Sequence, residues 1–448
     1  MSLGWNLSKI AAGLGKLVGE GARTVHGVTT DSRAVGEGDL FVAIVGETFD
    51  GHDFIEQAVQ AGAVGVVTAA GRTGIEPRIE VAATGTALLE LAALRRDELN
   101  APVIAVTGST GKTTTKDMLA SAIPGAWASP ASYNNEIGVP LTVLQTPGSA
   151  RALVIEMGSR GRGHLDWLMP VVRPDVAVIT NLGVVHLETF GDIATLADAK
   201  WEIVEGLSPE GVAVLPADEP RLMRDHPGAT HTFGTNTTAD VVARDISISD
   251  DGCARFILET PAGERAITLR MPGIHQPTNA AAAAAAALAV GVDLDQIVIG
   301  LGAATGSRWR MEFHRGNFTV VNDAYNANPT SVEAALRTVA DLPGRPIAVL
   351  GLMAELGDMS SGEHIRMGRL AAELGYATVI MVGDDPGLAA GAGAIARNVA
   401  TTDDALELVS RLVRDGDTVL VKASRTVGLE GLAGSLVDLA GSSRGGTS

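Results

Sequence analysis

Residues 102–115 of the chain read PVIAVTGSTGKTTT. The apolar start of this stretch predicts a short buried strand, and residues 116–122 after it predict a helix. A glycine-rich turn between a strand and a helix points several backbone N–H groups at one spot, with the positive end of the helix behind them, and such a spot holds phosphate. Lys112 can reach the outer phosphates, and the Thr113 hydroxyl can bind Mg²⁺. The stretch therefore predicts a nucleotide-binding α/β domain.

The match to the general phosphate-loop pattern is incomplete. That pattern has a glycine five residues before Gly111, where this chain has Val106, so the spacing here is Gly-x-x-Gly-Lys-Thr. Glycine-rich turns between strands and helices also occur without nucleotides, but the Gly-Lys-Thr ending in this context favours nucleotide binding. The residues predicted to hold the phosphates are Gly108, Ser109, Thr110, Gly111, Lys112, Thr113 and Thr114.

Composition narrows the class of protein. The chain has 448 residues, of which 46% are hydrophobic and 19% charged, so about two to four domains with sizeable cores are expected. The formal net charge of −18 argues against general binding to nucleic acid or to anionic membrane, which needs a basic surface. An anionic substrate stays possible, because local lysines, N–H groups and Mg²⁺ can hold phosphate. Cys253 is the single cysteine, which excludes an intrachain disulfide and a cysteine-based zinc site and fits a reducing cytoplasm.

The chain shows no targeting or membrane pattern. Residues 1–6 lack the basic-then-apolar order of a signal peptide. The longest uncharged apolar stretch, residues 280–292, is mostly alanine and is shorter than the ~20 residues that a membrane span needs. We therefore expect a soluble cytoplasmic protein without membrane insertion.

Apolar runs and helical segments divide the chain into three α/β regions. Residues 1–100 form a small unit, and Pro102 marks its boundary because proline disfavours helix at the residue before it. Residues 101–309 alternate buried strands with helices after the phosphate loop, which predicts a doubly wound parallel sheet. A hairpin excursion is expected within residues 229–270, and residues 279–290, which are mostly alanine, predict a helix. Residues 310–448 contain four strand-like runs separated by helical segments, which predicts another α/β domain.

Polar residues follow two further apolar runs of the central region. Residues 152–156 end at Glu156, and Asn181 follows residues 175–180. In doubly wound sheets, ligands bind at the carboxyl ends of the strands. Glu156 at this place suits a second contact to Mg²⁺, or it caps a nearby helix; the sequence leaves both interpretations open. His186 lies in the same expected crevice, although a single histidine is more often structural.

Lys200 lies within residues 198–203, DAKWEI, on a predicted helix. Lysine on a helix has i,i+4 pairing options. Local chemistry alone favours a surface lysine.

In their order along the chain, these motifs resemble those of the Mur ligases, the ATP-dependent enzymes that form amide bonds in bacterial peptidoglycan assembly. The resemblance covers essentially the whole chain, and so many motifs in the same order do not agree with the family by chance. The motifs that carry it are residues 107–115 (TGSTGKTTT), 133–140 (YNNEIGVP), 154–158 (VIEMG), 181–188 (NLGVVHLE), 199–203 (AKWEI), 273–280 (GIHQPTNA) and 323–329 (DAYNANP).

Two motifs indicate a branch within this family. Residues 323–329 and 134–138 resemble the branch that adds D-alanyl-D-alanine to UDP-N-acetylmuramoyl-tripeptide. The sibling branch that adds the third residue usually carries Asp-Asn-Pro-Arg when its amino acid is diaminopimelate, and this chain has no such string. Residues 30–33 (TDSR) and 46–52 (GETFDGH) also resemble the UDP-substrate domain of the first branch.

The resemblance implies a three-domain architecture. The UDP-substrate domain spans residues 1–100, and the central ATP-binding phosphate-loop domain spans residues 101–309. A Rossmann-like ligase domain at 310–448 closes over ATP and binds the acceptor dipeptide. A monomer without nucleic-acid partners is expected.

The resemblance also implies the metal chemistry. Lys112 and the loop N–H groups bind the ATP phosphates, Thr113 and Glu156 hold one Mg²⁺, and His186 with a carbamylated Lys200 helps to hold a second. The carbamate is physically reasonable, because an ammonium beside two Mg²⁺ ions is repelled, which favours the neutral amine. A neutral amine can add CO₂, and this gives the anionic oxygen ligand that Mg²⁺ prefers.

Further roles follow from the same resemblance. His275 and Asn279 are expected near adenine, Asp323 at the ribose, and Arg310 at the transferring phosphate. The candidates for substrate and acceptor contacts are Ser32, Arg33, Asn134, Asn135, Tyr325, Asn326, Asn328 and Arg425.

Three positions depart from the family pattern. Leu352 stands where an acidic residue is usual, and Ala423 where glycine is usual. Trp201 follows Lys200 where a small residue is commoner. The first two bear on the C-terminal part of the site, and none touches the phosphate loop.

The implied reaction has two steps. The terminal carboxylate of the tripeptide attacks the γ-phosphate of ATP to give an acyl phosphate and ADP, and two Mg²⁺ ions with Lys112 offset the crowding of negative charge. The D-alanyl-D-alanine amine then attacks the acyl carbon, and the intermediate collapses to amide and phosphate. The alternatives are a sibling amide ligase, a nucleotide switch without catalysis, and a simple phosphotransfer kinase. The retained second-metal set disfavours the switch, and ADP release that depends on an amine would exclude the kinase.

Overall fold

The phosphate-loop strand lies inside the largest sheet of the chain. The computed structural model describes residues 3–46, 48–72, 75–183, 190–235 and 237–442. Strand Val103–Thr107 is buried along its whole length, as expected for a strand whose two faces are covered. The nine strands of the sheet are, in spatial order, Gly263–Pro272, Cys253–Thr260, Val241–Ile248, Ala229–Gly234, Val212–Pro216, Val176–Ile179, Val103–Thr107, Ala152–Glu156 and Ala126–Ala128.

The central sheet is parallel at one end and antiparallel at the other. Parallel pairing runs from Ala126–Ala128 through to Val241–Ile248, and the last two strands then pair antiparallel. The predicted doubly wound sheet and hairpin excursion are therefore confirmed. Helices Lys112–Ala122, Gln276–Ala289 and Leu294–Ala303 pack on one face. The helices on the other face are Gly138–Leu144, His164–Val172 and Ile193–Glu205.

The alanine-rich helix fits closely against the phosphate-loop helix. Residues 280–287 are eight alanines, and all eight are fully buried. Alanine is the best helix former, and its small side chain permits a short distance between helices. The helix begins at Gln276, and Asn279 in its first turn lies against Gly111 of the phosphate loop.

The first part of the chain forms a smaller sheet that packs onto the central one. Its five strands are, in spatial order, Lys16–Val18, Arg78–Val81, Gly65–Ala69, Leu40–Val42 and Val28–Thr29, and a separate pair joins Trp5–Asn6 to Thr24–Val25. Its helices are Leu7–Leu14, Ile55–Gln60 and Thr84–Asp97, with a 3₁₀ turn at Gly51–Phe54. Helix Thr84–Asp97 contributes to the same apolar core as the central helices Gly138–Leu144 and His164–Val172.

The last part of the chain forms a six-stranded sheet with helices on both faces. Its strands are, in spatial order, Glu312–Arg315, Thr319–Asn322, Thr418–Lys422, Pro346–Leu350, Thr378–Val382 and Ala396–Val399. Its helices are Pro329–Ala340, Ser360–Glu373, Leu388–Ala392, Thr402–Leu412 and Glu430–Gly441. The four predicted strands are present. The two edge strands, Glu312–Arg315 and Ala396–Val399, are short and polar, so they lack the apolar run that predicts a strand.

The three larger sheets each draw all their strands from one of the three predicted regions. The boundaries at residues 100 and 309 stay predictions. In the part of the chain that the structure describes, no helix is both long and apolar enough to cross a bilayer.

Candidate active site

A cleft of about 1260 Å³ lies between the carboxyl ends of the central strands and the C-terminal sheet. Most of the predicted site residues line it together. They are Gly108, Ser109, Thr110, Gly111, Lys112, Thr113, Thr114, Asn134, Asn135, Glu156, Lys200, His275, Asn279, Arg310, Asp323, Tyr325, Asn326, Asn328 and Arg425. Elements from two sheets thus converge on one place.

Two of the predicted residues that the structure describes, Ser32 and Arg33, are not part of this lining. Ser32 and Arg33 lie on the N-terminal unit, where Ser32 is buried and donates to Gln57 Oε1 at 3.0 Å. Arg33 is exposed and binds Asp31 through two hydrogen bonds, and the side-chain hydrogen bond from Arg33 lowers the pKa of Asp31 to about 2. His186 lies outside the described residues.

Two glycines give the phosphate loop its shape. Gly108 has φ +145° and Gly111 has φ +79°, a region that favours glycine. A Cβ on Gly108 would collide with Thr180 Oγ1, and one on Gly111 would lie 2.5 Å from Asn279 Oδ1. Helix Lys112–Ala122 begins directly after Gly111, so the helix N-terminus faces the cleft, as the sequence predicts.

Asn181, which follows the neighbouring strand Val176–Ile179, supports the phosphate loop through hydrogen bonds. The loop residue Thr110 donates its backbone N–H to Asn181 Oδ1 at 2.9 Å, and Asn181 Nδ2 donates to Thr110 Oγ1 at 2.6 Å. The backbone N–H of Ser109 also donates to the Asn181 carbonyl at 3.1 Å. The polar residue that the sequence places at a strand end therefore supports the loop.

Lys112 lies across the loop. Its Nζ donates to the carbonyl oxygens of Gly108 at 2.8 Å and Ser109 at 3.2 Å. Burial lowers the pKa of Lys112, the nearby charge of Arg310 lowers it further, and Glu156 opposes both effects. The ammonium is therefore poorly solvated, and an anion bound in the loop would stabilise its charged form.

Glu156 is a buried carboxylate with one free oxygen. The side chain is 1% exposed, and Oε1 accepts a hydrogen bond from Asn134 Nδ2 at 2.7 Å. Oε2 is buried without a hydrogen-bond partner. A buried carboxylate oxygen with no donor is costly unless a cation or ligand completes it.

Glu156 does not cap a helix, so the capping interpretation that the sequence left open is wrong. The backbone N–H groups of Gly163, Leu165 and Asp166, at the start of helix His164–Val172, donate instead to the Glu202 carboxylate at 2.6–3.2 Å. The Glu156 oxygen is therefore left for the cleft.

Removing this cap tests how the cleft wall is held. We expect Glu202→Ala to lower the free energy of unfolding by about 2 kcal/mol, because three backbone donors at a helix N-terminus lose a charged acceptor. Urea unfolding measures it. Glu205→Ala is the matched control, since Glu205 is exposed on the same helix; equal loss in both variants would contradict the capping role.

Lys200 is deeply buried and not a surface residue. It is 2% exposed and lines the cleft. Burial, and then the charge of Lys112, lowers the pKa of Lys200 well below its usual value. Both effects favour the neutral amine over the ammonium.

Trp201, a departure from the family pattern, points away from the cleft. It is 5% exposed in the core. Its ring lies 6.3 Å from that of His226 and 5.4 Å from the Arg224 guanidinium. Consecutive residues on a helix face different directions, so Trp201 does not displace Lys200.

Arg310 crosses from the C-terminal sheet to the phosphate loop. Its Nη2 donates to Ser132 Oγ at 3.2 Å, and this hydroxyl lies 3.3 Å from Thr113 Oγ1. The Arg310 guanidinium also lies 4.0 Å from the ring centroid of Tyr325. Sequence reasoning missed Ser132, because a serine in a loop gives no local signal.

Asp323 is engaged in a buried ion pair. Lys422 Nζ donates to Asp323 Oδ2 at 2.6 Å, and the Met311 backbone N–H donates to Oδ1 at 3.1 Å. A ribose hydroxyl at Asp323 would therefore share an oxygen that is already bound. Lys422 is a second residue that sequence reasoning missed, since its partner lies 99 positions away.

The predicted adenine residues meet at the start of the alanine-rich helix. Gln276 Oε1 accepts from Asn279 Nδ2 at 3.0 Å, and Gln276 Nε2 lies 3.2 Å from His275 Nε2. Burial lowers the pKa of His275, Asp323 opposes this and Lys422 adds to it. His275 Nδ1 is buried without a partner, so a polar ligand atom can still bind there.

In three predicted substrate residues, the side-chain oxygen accepts a hydrogen bond from a nearby backbone N–H. Asn135 Oδ1 accepts from the Gly138 N–H at 2.8 Å, and Asn328 Oδ1 caps helix Pro329–Ala340 by accepting from the Ser331 N–H at 2.9 Å. Asn326 Oδ1 accepts from the following N–H, that of Ala327, at 2.9 Å. The side-chain oxygens of these three residues are therefore already engaged by the backbone.

The other two departures lie behind the cleft surface. Ala423 is fully buried, and a Cβ on Gly351 would lie 2.8 Å from its methyl group. The Leu352 carbonyl accepts from the Ser424 N–H at 3.0 Å. Ala423 thus limits the space at Gly351 through its methyl group, and Leu352 contacts the neighbouring segment through its backbone carbonyl.

Three models of protein families match consecutive parts of the chain. "Mur ligase family, catalytic domain" matches residues 24–96, "Mur ligase middle domain" matches 106–287, and "Mur ligase, glutamate ligase domain" matches 309–425.

Curated relatives align over nearly the whole chain. The UDP-N-acetylmuramoyl-tripeptide–D-alanyl-D-alanine ligase of Bacillus subtilis (strain 168) is 35% identical over 433 residues, which cover 92% of this chain and 93% of the relative. The enzyme of the same name from Escherichia coli (strain K12) is 35% identical over 428 residues, with 91% and 92% covered.

Solved structures share the fold. A crystal structure of MurF from Acinetobacter baumannii has a TM-score of 0.89 at 32% identity and covers 97% of this chain and 99% of its own. MurF from Thermotoga maritima in complex with ADP has a TM-score of 0.82 at 27% identity, with 92% and 97% covered.

Proposed function

The chain belongs to the Mur ligase family, and from this we propose that it is the ATP-dependent ligase that joins D-alanyl-D-alanine to UDP-N-acetylmuramoyl-tripeptide. Its fold is the three-domain architecture of that family. The reaction releases ADP and phosphate and belongs to the synthesis of the peptidoglycan precursor.

One observation carries the proposal. The cleft joins a phosphate loop, a buried carboxylate with a free oxygen, a buried lysine whose pKa is lowered by burial, and an arginine from the C-terminal side. A switch protein needs the loop alone, whereas a ligase must bring a nucleotide, a carboxylate and an amine together.

The chain's own residues account for the first step. The loop N–H groups and helix N-terminus bind the ATP phosphates, and Lys112 offers its ammonium to the outer ones. Arg310 reaches the same place from the C-terminal sheet, where it balances charge as the γ-phosphate passes from ADP to the tripeptide carboxylate.

The second step uses the other half of the cleft. The neutral D-alanyl-D-alanine amine attacks the acyl phosphate carbon, the C–N bond forms, and the C–O bond breaks as phosphate leaves. The nitrogen loses one proton and keeps the other as the amide N–H. Tyr325, Asn326, Asn328 and Arg425 line the C-terminal wall, and we place the acceptor among them.

The residues present fit Mg²⁺. Glu156 Oε2 lacks a partner, and Thr113 supplies a hydroxyl within the same cleft; both are hard oxygen donors of the kind that Mg²⁺ prefers. In the part of the chain that is described, no group of three or more His, Cys, Asp and Glu side chains meets, so substrate phosphates would complete the coordination. Bound Mg²⁺ would neutralise charge on the phosphates.

We also propose that Lys200 is carbamylated. Its burial and the nearby Lys112 favour the neutral amine, which adds CO₂ to give an anionic carbamate with a charge suited to a second Mg²⁺. His186 is proposed as the other ligand of that ion.

This modification predicts dependence on CO₂. We expect activity to fall severalfold in buffers depleted of CO₂ and to return on addition of bicarbonate. Lys200→Ala should be nearly inactive, and short carboxylic acids should restore part of the activity because they supply an oxygen anion at the same place. Full activity of Lys200→Ala without added acid would contradict the role.

Location and assembly complete the proposal. ATP and UDP-linked substrates are cytoplasmic, so we place the enzyme there, acting as a monomer. The domain boundaries at residues 100 and 309 remain part of this proposal, with Ser32 and Arg33 binding the UDP moiety.

Phosphate release from ATP is the experiment that tests the function. It is measured with UDP-N-acetylmuramoyl-tripeptide, with and without D-alanyl-D-alanine, in Mg²⁺ and bicarbonate. We expect release only with both substrates, together with a product of pentapeptide mass. Release with a single amino acid in place of the dipeptide would assign the chain to a sibling ligase, and tight ATP binding without release would favour a switch.

A further inference from the structure

The backbone on either side of Arg310 has an unusual conformation. Trp309 has φ +60° and Met311 has φ +49°. Residues with a Cβ are strained in this left-handed region, and bulky ones especially so. A turn with two such residues persists only where the surroundings hold it, and strain of this kind gathers at functional sites.

Hydrogen bonds to one segment, residues 323–325, hold this turn. The Tyr325 N–H donates to the Trp309 carbonyl at 3.1 Å, and Asp323 Oδ1 accepts from the Met311 N–H at 3.1 Å. Both anchoring residues follow strand Thr319–Asn322. The C-terminal sheet thereby fixes the point from which the Arg310 side chain leaves the backbone.

The guanidinium of Arg310 has a contact on each side of the cleft. The Tyr325 ring centroid lies 4.0 Å from it, within cation–π range. On the other side, Ser132 Oγ accepts from Nη2 at 3.2 Å and lies 3.3 Å from Thr113 Oγ1 of the phosphate loop. Arg310 Nε is buried without a partner, so an anion can still bind.

We infer that Tyr325 and Ser132 are positioning residues that hold the Arg310 guanidinium against the phosphate loop. Tyr325 then serves phosphate transfer through Arg310 rather than acceptor binding, which leaves Asn326, Asn328 and Arg425 for the D-alanyl-D-alanine acceptor. A long arginine side chain loses much conformational freedom when it is fixed, and a pre-placed ring face and hydroxyl reduce that loss before the transition state forms. The inference rests on the proposed ligase function.

Tyr325→Leu separates the two roles through kcat and KM. We expect kcat to fall about 10-fold because the ring face is lost, while the KM for D-alanyl-D-alanine stays within about 2-fold. Tyr325→Phe keeps the ring face and should lose much less than Tyr325→Leu. A raised KM for the dipeptide with unchanged kcat would make Tyr325 an acceptor contact and overturn the inference.

A double-mutant cycle provides a second readout. In an Arg310→Ala background, Tyr325→Leu and Ser132→Ala should have little further effect, because the group they position is gone. Ser132→Ala alone should lower kcat, and Ser132→Thr, which retains the hydroxyl, should recover part of it. Full additivity with Arg310→Ala would contradict positioning.

Two controls keep failures distinguishable. Trp167→Leu removes an exposed aromatic side chain that lies outside the cleft lining, and it should retain the wild-type kcat and thermal midpoint. If the wild-type chain releases no phosphate with these substrates, the ligase assignment fails. Titration with ATP and Mg²⁺ then tests the positioning alone: equal affinity of Tyr325→Leu, Arg310→Ala and wild type would overturn it.

Discussion

We expect Lys112→Ala to lower kcat/KM for phosphate release by about 10³-fold, a loss of about 4 kcal/mol of transition-state stabilisation. The variant removes the cation that spans the phosphate loop and contacts Gly108 O and Ser109 O. The transferring phosphate carries more charge in contact with the attacking carboxylate than in bound ATP, so the loss should appear mostly in kcat. Steady-state phosphate release measures it.

The control for this variant is Lys16→Ala, which removes an exposed lysine at the edge of the N-terminal sheet. It should leave both kcat and the thermal midpoint unchanged. If Lys112→Ala retains more than about a tenth of the wild-type rate, the ammonium does not act on the transferring phosphate.

Glu156→Gln has the second largest expected effect, about a 10²-fold loss in kcat/KM and a higher Mg²⁺ requirement. Glutamine has the same shape, and its carbonyl oxygen still accepts from Asn134 Nδ2. The amide NH₂ then stands where the unpartnered Oε2 lies, and it cannot bind a cation. The measurement is phosphate release as a function of Mg²⁺ concentration.

The matched control for Glu156→Gln is Glu205→Gln, which makes the same chemical change at an exposed helix position. Its Mg²⁺ dependence should equal that of the wild type. An unchanged Mg²⁺ dependence in Glu156→Gln would show that the free carboxylate oxygen serves another purpose, such as accepting a hydrogen bond from the substrate.

The features that could be predicted from the sequence are local ones. The phosphate loop, its flanking strand and helix, and the helix that contains residues 280–287 were all predicted. Their conformations depend on neighbours in sequence: glycine permits the left-handed φ of Gly111, and alanine favours helix. The short edge strands were missed, because a polar strand gains its hydrogen bonds from a partner that the local pattern does not reveal.

Which side chains are buried and paired was decided by the tertiary structure. Local chemistry alone favours a surface position for Lys200, yet the exposed fraction of this residue is only 2%. Glu202 caps a helix that begins almost forty positions earlier, and Asp323 pairs with Lys422 across 99 positions.

The sequence by itself thus determined the class of fold and the family and predicted the phosphate site, because these depend on contiguous motifs and their order. Only the tertiary structure decided that Glu156 keeps a free oxygen, that Lys200 is buried with a lowered pKa, and that Arg310 contacts both Tyr325 and Ser132. The physical reason is that desolvation and charge pairing depend on which distant segments the packed cores bring together.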